Sequence, residues 1–320
     1  MVKTALIIGS SGQDGTYLTS LLCSKKYNVI CASRDADSNN FLNHKNLQIE
    51  GSFLYVTLNI NEMSSILKTL DKYKPDEIYN LAAQSSVGLS FEKPIETIES
   101  IICGTVNILE AIKFSNIKTK FYNAGSSEAF GDHGSKKINE LTKLKPISPY
   151  GISKASAIDF VKMYRNSYSI FACTGILFNH ESNLRGKKFV TRKIIETAVK
   201  IKKGLENNLI LGNIDIYRDW GWAPEYVEAM WLMLQQEAPE DFIIATGKTN
   251  SLEDFVRYAF ECLNLDYKTY LKTEHNLYRP QDIKINIADP SKAFNKLGWR
   301  AKSDMYLVVE KLIDIELNKY

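Results

Sequence analysis

The sequence predicts an α/β fold: a doubly wound parallel sheet with a smaller, mixed domain built mainly from the C-terminal half. Two observations lead to this prediction. Short apolar runs alternate with amphipathic stretches through the first half, as parallel strands alternate with the helices that cover them. After about Thr174 the alternation gives way to a loop-rich stretch with irregular spacing, which indicates a second unit.

The pattern predicts individual strands and helices along the chain. We predict strands over 4–8, 28–32, 77–81 and 121–124, and helices over 15–24, 105–114 and 155–166. In the second half we predict a helix over 192–203, followed by the segment LILGN (209–213), then a helix over 226–234 and a strand at FIIAT (242–246). The first domain then comprises 1–175 with returning segments near 214–248, and the second comprises 176–213 and 249–320.

Composition excludes several classes of protein. The 40 basic and 37 acidic side chains leave a formal charge of +3, too small to predict a nucleic-acid or membrane partner. No apolar run approaches the roughly 20 residues that span a bilayer. The five cysteines are scattered without a CxxC pair, which favours reduced thiols in a cytoplasmic protein and predicts no metal site.

A glycine-rich loop joins the first predicted strand to the first predicted helix. It runs Gly9, Gly12, Gln13, Asp14 and Gly15 in a GxxGxxG spacing. Glycines let the backbone turn tightly and approach a pyrophosphate, and the amino end of the helix offers free N–H groups to the phosphates. The loop therefore predicts a dinucleotide site in a Rossmann-type domain.

The end of the second strand bears on which dinucleotide is bound. An acidic side chain there commonly holds the ribose of NAD. Here Ser33 takes that place and Arg34 follows, and an arginine can pair with the 2′-phosphate of NADP. We therefore predict NADP; Asp35, one position further, keeps NAD as the alternative.

A tyrosine and a lysine, Tyr150 and Lys154, are spaced four apart near a predicted helix start, on one face. A free tyrosine has a pKa of about 10 and is a poor base at neutral pH. A neighbouring ammonium and a positively charged nicotinamide ring would favour the phenolate. The pair predicts acid–base chemistry next to the cofactor.

Ser126 and Glu128 follow the strand predicted over 121–124. Ligands of a doubly wound sheet lie at the carboxyl ends of its strands, where these two side chains should emerge. The serine could bind a substrate hydroxyl and share its proton with Tyr150. Once a sugar C4 becomes a ketone, its C5 proton becomes acidic, and a carboxylate such as Glu128 can remove it.

These residues resemble the extended short-chain dehydrogenase/reductase superfamily and, within it, the GDP-mannose 4,6-dehydratase family. The resemblance extends almost from end to end, and the blocks at 175–194 and 211–234 are the most specific. The matching segments are GSSGQDGTYL (9–18), PDEIYNLAAQSSVGLSFEKP (75–94), NAGSSEAFGD (123–132), SPYGISKA (148–155), GILFNHESNLRGKKFVTRKI (175–194), LGNIDIYRDWGWAPEYVEAMWLML (211–234), FIIATG (242–247) and YRPQDIKINIADPSKAFNKLGW (278–299).

The resemblance implies that GDP-mannose loses water to give GDP-4-keto-6-deoxymannose, with NADP reduced and reoxidised. It implies catalytic roles for Ser126, Glu128, Tyr150 and Lys154. Tyr150 and Lys154 also contact the cofactor, together with the glycine loop and Arg34, Leu81, Ala82 and Ala83. The GDP-sugar site that it implies comprises Ser85, Asn179, Glu181, Val190, Lys193, Gly212, Arg218 and Arg279.

Several alternatives remain at this point. The substrate could be another GDP sugar, such as a GDP-heptose. A GDP-4-keto-6-deoxymannose reductase or a 4-epimerase shares the tyrosine–lysine pair but needs no carboxylate at C5, so Glu128 counts against both. A nucleotide sensor without catalysis could lose Tyr150, Lys154 or Glu128, and all three are present. Family members often carry two consecutive arginines after the second strand, whereas this chain has only Arg34, followed by Asp35. In family members that form tetramers this loop helps to bridge subunits, so its loss makes a homodimer at least as plausible as a homotetramer.

Overall fold

The computed structural model describes residues 2–36, 41–49 and 51–319. The strands are β1 Thr4–Ile8, β2 Asn28–Ser33, β3 Phe53–Thr57, β4 Glu77–Asn80, β5 Lys120–Ala124, β6 Lys137–Ile138, β7 Phe171–Leu177, β8 Asn179–Glu181, β9 Leu209–Leu211, β10 Tyr217–Trp222, β11 Phe242–Ile244, β12 Thr249–Ser251, β13 Leu271–Thr273 and β14 Ile287–Ala288. The α-helices are α1 Gln13–Ser24, α2 Leu42–Asn46, α3 Met63–Tyr73, α4 Val87–Glu92, α5 Pro94–Ile98, α6 Gly104–Ser115, α7 Pro149–Tyr168, α8 Val190–Lys202, α9 Ala223–Gln235, α10 Leu252–Glu261, α11 Tyr267–Tyr270, α12 Ser291–Leu297 and α13 Met305–Leu317.

The main sheet has seven strands in the order β11-β7-β5-β4-β1-β2-β3, and every neighbouring pair is parallel. The chain winds outward from β1 in one direction through β2 and β3, then returns and winds the other way from β4. This confirms the predicted doubly wound sheet. Because the winding reverses beside β1, a crevice opens there at the carboxyl ends of β1 and β4.

Helices cover both faces of this sheet, as the buried apolar runs required. On one face Leu18 and Leu22 of α1 pack with Met230 of α9. On the other, Ile66 of α3 and Ile108 of α6 join a second cluster. Two buried faces explain why β1 carries a continuous apolar run, ALII, instead of alternating apolar and polar residues.

A smaller unit holds the three-stranded sheet β12-β10-β8, in which β10 pairs parallel with β8 and antiparallel with β12. Its core includes Val199 of α8, Phe255 of α10 and Val309 of α13, packed with Trp220. The chain then returns to the main sheet, since β11 pairs with β7. The exact division of the chain into domains stays a prediction.

The helix that carries Tyr150 begins earlier than the sequence indicated. We predicted 155–166, whereas α7 covers Pro149–Tyr168. The Ser148 hydroxyl accepts a hydrogen bond from the Gly151 N–H at 3.0 Å, and Pro149 occupies the first turn. A serine cap followed by proline is a favourable helix start, so Tyr150 and Lys154 are fixed within rigid helix.

Among the described residues, no helix is long and apolar enough to cross a membrane.

Candidate active site

The glycine loop packs backbone against backbone at the amino end of α1. Gly9 has a φ of +87°, and a Cβ there would lie 2.8 Å from the Ala82 nitrogen. A Cβ on Gly15 would lie 2.5 Å from the Gly9 oxygen. Gly12 caps α1 without any side-chain hydrogen bond, so the first N–H groups of the helix stay available to a ligand. These features suit a pyrophosphate.

A cleft of about 590 Å³ extends from this loop along the carboxyl ends of β1, β2 and β4. Ser33 and Arg34, at the carboxyl end of β2, line this cleft. The predicted cofactor residues that line this cleft are Gly9, Gly12, Gln13, Asp14, Gly15, Arg34, Leu81, Ala82 and Ala83. Tyr150 and Lys154 lie in the adjoining cavity instead.

This second cavity, of about 370 Å³, brings together all the other predicted site residues. Ala83, Ala124 and Phe189 are among the residues that line both cavities, so the two spaces adjoin. The predicted residues around the second cavity are Ser85, Ser126, Glu128, Tyr150, Lys154, Asn179, Glu181, Val190, Lys193, Gly212, Arg218 and Arg279.

Tyr150 and Lys154 are both buried on α7. The Lys154 Nζ donates to the Ala124 backbone oxygen at 2.6 Å and lies 5.8 Å from the centre of the Tyr150 ring. Burial lowers the pKa of Lys154 to about 8. Burial also raises the pKa of Tyr150 to about 12, although a hydrogen bond with Ser126 opposes the rise. The phenolate therefore depends on positive charge supplied nearby.

Ser126 and Glu128 lie at the turn after β5. The Ser126 Oγ accepts from the Glu128 backbone N–H at 3.3 Å, which fixes the turn. Burial raises the pKa of Glu128, and the charges of Arg218 and Arg279 partly oppose that rise. The Arg218 Nη2 lies 3.9 Å from the Glu128 Oε1. Glu128 is thus a shielded carboxylate with a raised proton affinity, which suits a general base.

Two predicted substrate residues are already bonded within the protein. Arg218 donates to Asp282 at 2.9 Å and to the Ile283 and Tyr217 carbonyls at 2.7 and 2.9 Å. Glu181 accepts from the Thr191 hydroxyl at 2.7 Å. Both side chains line the cavity, but most of their hydrogen bonds are made to other protein groups in the cavity wall. Arg279 is more exposed, at 35%, and is freer to meet a ligand.

The sequence did not predict several residues of the site. His180 pairs with Asp14 at 2.9 Å, and Asp282 bonds both Arg218 and Arg279. Arg185 and Phe189 line both cavities. His180 and Arg185 lie within the segment 175–194 that resembles the family most specifically. Their position in that segment was the sequence signal that could have identified them as site residues. Nothing in the local sequence indicates that Asp282 folds onto Arg218.

Enzymes of the extended short-chain dehydrogenase/reductase class place a buried tyrosine and lysine one helical turn apart, beside a glycine loop at the carboxyl edge of a parallel sheet. The present chain has this arrangement and is a protein of that class. Among solved structures, it aligns with dTDP-glucose 4,6-dehydratase from Bacillus anthracis at a TM-score of 0.85 and 20% identity, covering 99% of this chain and 97% of the other. UDP-glucose 4-epimerase from Thermotoga maritima aligns at 0.84 and 23%, covering 98% and 99%.

Sequence comparison gives the family within this class. The family model described as GDP-mannose 4,6 dehydratase matches residues 6–312. GDP-mannose 4,6 dehydratase 1 from Arabidopsis thaliana is 40% identical over 98% of this chain and 90% of its own length. GDP-mannose 4,6-dehydratase from Vibrio cholerae is 39% identical over 93% of this chain and 90% of its own length. The chain belongs to the GDP-mannose 4,6-dehydratase family.

Proposed function

We propose that this protein is a hydro-lyase that converts GDP-mannose to GDP-4-keto-6-deoxymannose and water. The observation that carries the proposal is the buried carboxylate of Glu128 in the same cavity as Tyr150 and Lys154. A reductase or a 4-epimerase needs the tyrosine and the lysine but no base for C5. The relatives at 39–40% identity over nearly the whole chain bear the dehydratase name, which supports the same conclusion.

We propose NADP as the cofactor. When bound, NADP would supply hydride-transfer chemistry, with the hydride taken from C4 of the sugar returned to C6, so that the cofactor would be unchanged overall. The uncapped start of α1 would hold its pyrophosphate, and Arg34 would pair with its 2′-phosphate. Solved structures of this fold include a Pseudomonas aeruginosa protein complexed with NADPH and the Bacillus anthracis dehydratase in complex with NAD. Arg34 is therefore the argument for NADP in this chain.

The side chains of the cavity would move the protons. Tyr150 takes the proton of the C4 hydroxyl, which Ser126 orients, while the Lys154 ammonium stabilises the phenolate. Glu128 then removes the proton from C5, next to the new ketone. The two protons held by Tyr150 and Glu128 return, one to the departing C6 hydroxyl and one to C5. Atoms and electrons balance, with water as the sole by-product.

The nucleotide end of the substrate would occupy the other wall of the cavity. Asn179 of β8, Lys193 in the first turn of α8 and Arg279 of the C-terminal segment line this cavity. The amino end of α8 has no side-chain cap. Amide groups, cations and free N–H groups suit a doubly charged diphosphate.

We also propose a homodimer or homotetramer in a reducing, cytoplasmic setting. Large apolar side chains are exposed along α5 and α7, among them Ile95, Ile152 and Met163, and a partner subunit would cover them. All five cysteines are free.

The deciding experiment incubates the purified protein with GDP-mannose and follows the sugar nucleotide by mass. We expect loss of one water, a 4-keto product and no net consumption of NADP. GDP-heptose and the UDP, CDP and dTDP hexoses serve as competing substrates. Water loss from one of these but not from GDP-mannose would contradict the proposed substrate, and stoichiometric NADPH oxidation with a 4-keto sugar would indicate a reductase.

A further inference from the structure

The glycine loop is bonded directly to the strand that lines the sugar cavity. The Gln13 Nε2 donates to the His180 backbone oxygen at 3.2 Å, and the Ser182 Oγ donates to the Gln13 Oε1 at 2.8 Å. The Asp14 Oδ2 lies 2.9 Å from the His180 Nε2. Gln13 and Asp14 were predicted as cofactor residues, yet their side chains reach across to β8 and the residues after it.

Asp14 and His180 form a partly buried ion pair, with side chains 21% and 9% exposed. The His180 Nδ1 lies 2.7 Å from the Phe178 backbone oxygen, which can only accept, so this nitrogen carries a hydrogen. The other ring nitrogen faces a carboxylate. Electrostatics agree: although burial opposes both shifts, the partners' charges leave the pKa of His180 raised and that of Asp14 lowered. The imidazolium ring also stacks on Tyr226 at 4.6 Å between centroids.

The ion pair lies where the two cavities meet. Asp14 belongs to the first turn of α1 and lines both cavities, whereas His180 lines the sugar cavity between Asn179 and Glu181. Strand β8 is not part of the seven-stranded sheet and pairs with β10 instead. Because β7 ends at Leu177, the main sheet fixes where β8 begins, and the bonds of Gln13 and Asp14 then tie residues 180–182 to the cofactor loop.

We propose that the Asp14–His180 ion pair and the Gln13–Ser182 hydrogen bond hold the cofactor loop in register with the sugar-binding strand, which makes His180 and Ser182 positioning residues for oxidation at C4. This inference rests on the proposed function. Reacting atoms must lie close together with correct alignment, and a misplacement of about 1 Å can cost about 10²-fold in rate. A bond that sets the spacing of two sites acts on the rate more than on the affinity of either ligand.

The test uses two variants of different severity and one matched control. Asp14→Asn removes the charge of the pair and keeps its size. Ser182→Ala removes the bond to Gln13 together with the local bond that the Ser182 Oγ accepts from the Leu184 N–H. Asp241→Asn is the control, because Asp241 forms a comparably short pair with Arg165, at 2.7 Å, away from both cavities. We expect kcat to fall about 10²-fold in Asp14→Asn, less in Ser182→Ala, with KM for GDP-mannose changed less than about threefold.

Two further measurements separate positioning from loss of stability. With GDP-mannose deuterated at C4, the isotope effect on kcat should rise in both variants, whereas Asp241→Asn should lower Tm and leave the isotope effect at the wild-type value. Amide hydrogen exchange needs no sugar turnover: NADP+ should slow exchange across 179–185 in the wild type and fail to do so in Asp14→Asn.

Failure of the proposed function and failure of the positioning role give different results. A wild-type protein that does not dehydrate GDP-mannose contradicts the proposed function, and hydrogen exchange still tests the link between loop and strand. Equal protection by NADP+ in wild type and Asp14→Asn would overturn the inference. So would an unchanged isotope effect, or a fall in activity explained wholly by weaker NADP+ binding.

Discussion

The guanidinium of Arg218 lies 3.9 Å from the carboxylate of Glu128, and the two side chains are only 5% and 13% exposed. The distance is too long for a strong hydrogen bond but short enough for a sizeable charge effect in a shielded site. Asp282 and two backbone carbonyls hold the guanidinium in place. Arg218 therefore acts on the proton affinity of Glu128 without occupying the oxygen that would take a proton.

Replacing Arg218 with methionine should move the acid limb of the pH–rate profile to higher pH. Burial raises the pKa of Glu128 and Arg218 opposes the rise, so removing the cation raises the pKa further. A general base must be deprotonated, and activity is therefore lost at a higher pH as the pH falls. The measurement is kcat against pH. Arg257→Met, which removes an exposed arginine bonded to Glu261, is the control and should leave the limb in place.

Glu128→Gln should stop the reaction after C4 oxidation. The amide keeps the size of the side chain but cannot take the C5 proton. Reduced cofactor should then accumulate on the enzyme, seen by its near-ultraviolet absorbance, while turnover falls by about 10²–10⁴-fold, the usual contribution of a general base. Glu140→Gln, at a carboxylate bonded to the Ile243 N–H, provides the control. Full turnover by the Glu128 variant would show that another group removes the C5 proton.

Deprotonation of Lys154 should make the activity fall at alkaline pH. Burial lowers its pKa to about 8, so the ammonium that supports the Tyr150 phenolate is lost as the pH rises through that value. Activity should decline above about pH 8, and Lys154→Met should lack activity across the range. Lys162→Met, on the exposed side of the same helix, should keep the wild-type profile. A flat profile through pH 9 would contradict the role of the ammonium.

Much of this site could be predicted from sequence because its residues follow strand ends. Ser126 and Glu128 come directly after β5, and the glycine loop comes directly after β1. In a doubly wound sheet those positions share one edge by topology alone. Strand β1 was predicted over its whole length for a related reason: a strand buried on both faces is a continuous apolar run.

Part of the remainder depended on tertiary contacts. Asp14 and His180 are 166 positions apart, and no local pattern pairs an aspartate with a histidine at that distance. Strand β3 was not predicted, although its sequence FLYVT is largely apolar; it lies at the edge of the sheet, and its residues do not alternate between buried and exposed positions. Helix α13 was not predicted, although the spacing of its buried residues Met305, Val308, Val309, Leu312 and Ile313 is helical and its length exceeds that of a typical strand, so the periodicity was available in the sequence.

Arg34→Ala should weaken NADP+ binding and leave NAD+ binding nearly unchanged. Arg34 lines the cleft at the carboxyl end of β2, where only NADP carries a 2′-phosphate. A charge-assisted hydrogen bond of this kind is worth about 1.5–3 kcal/mol, which corresponds to a loss of roughly 10–100-fold in affinity. Calorimetric titration of the wild type and the variant with NADP+ and NAD+ measures the two affinities. Lys45→Ala, at an exposed lysine on α2, controls for general loss of positive charge. Equal loss for both cofactors would contradict 2′-phosphate recognition.

Gly15→Ala should disrupt the glycine loop, whereas Gly88→Ala should not harm the protein. A Cβ at position 15 would lie 2.5 Å from both the Gly9 oxygen and the Ser10 Cα, which are backbone atoms that cannot rotate away. We expect a loss of about 1–3 kcal/mol in the free energy of unfolding and weaker NADP+ binding, because the loop and α1 must separate. Gly88 has no atom within 4 Å of its added Cβ and lies in α4, where alanine is favoured over glycine by about 0.5–1 kcal/mol. Chemical denaturation and cofactor titration of both variants give the comparison. If Gly15→Ala kept wild-type stability and affinity, close packing of the loop backbone would not be what shapes the cofactor site.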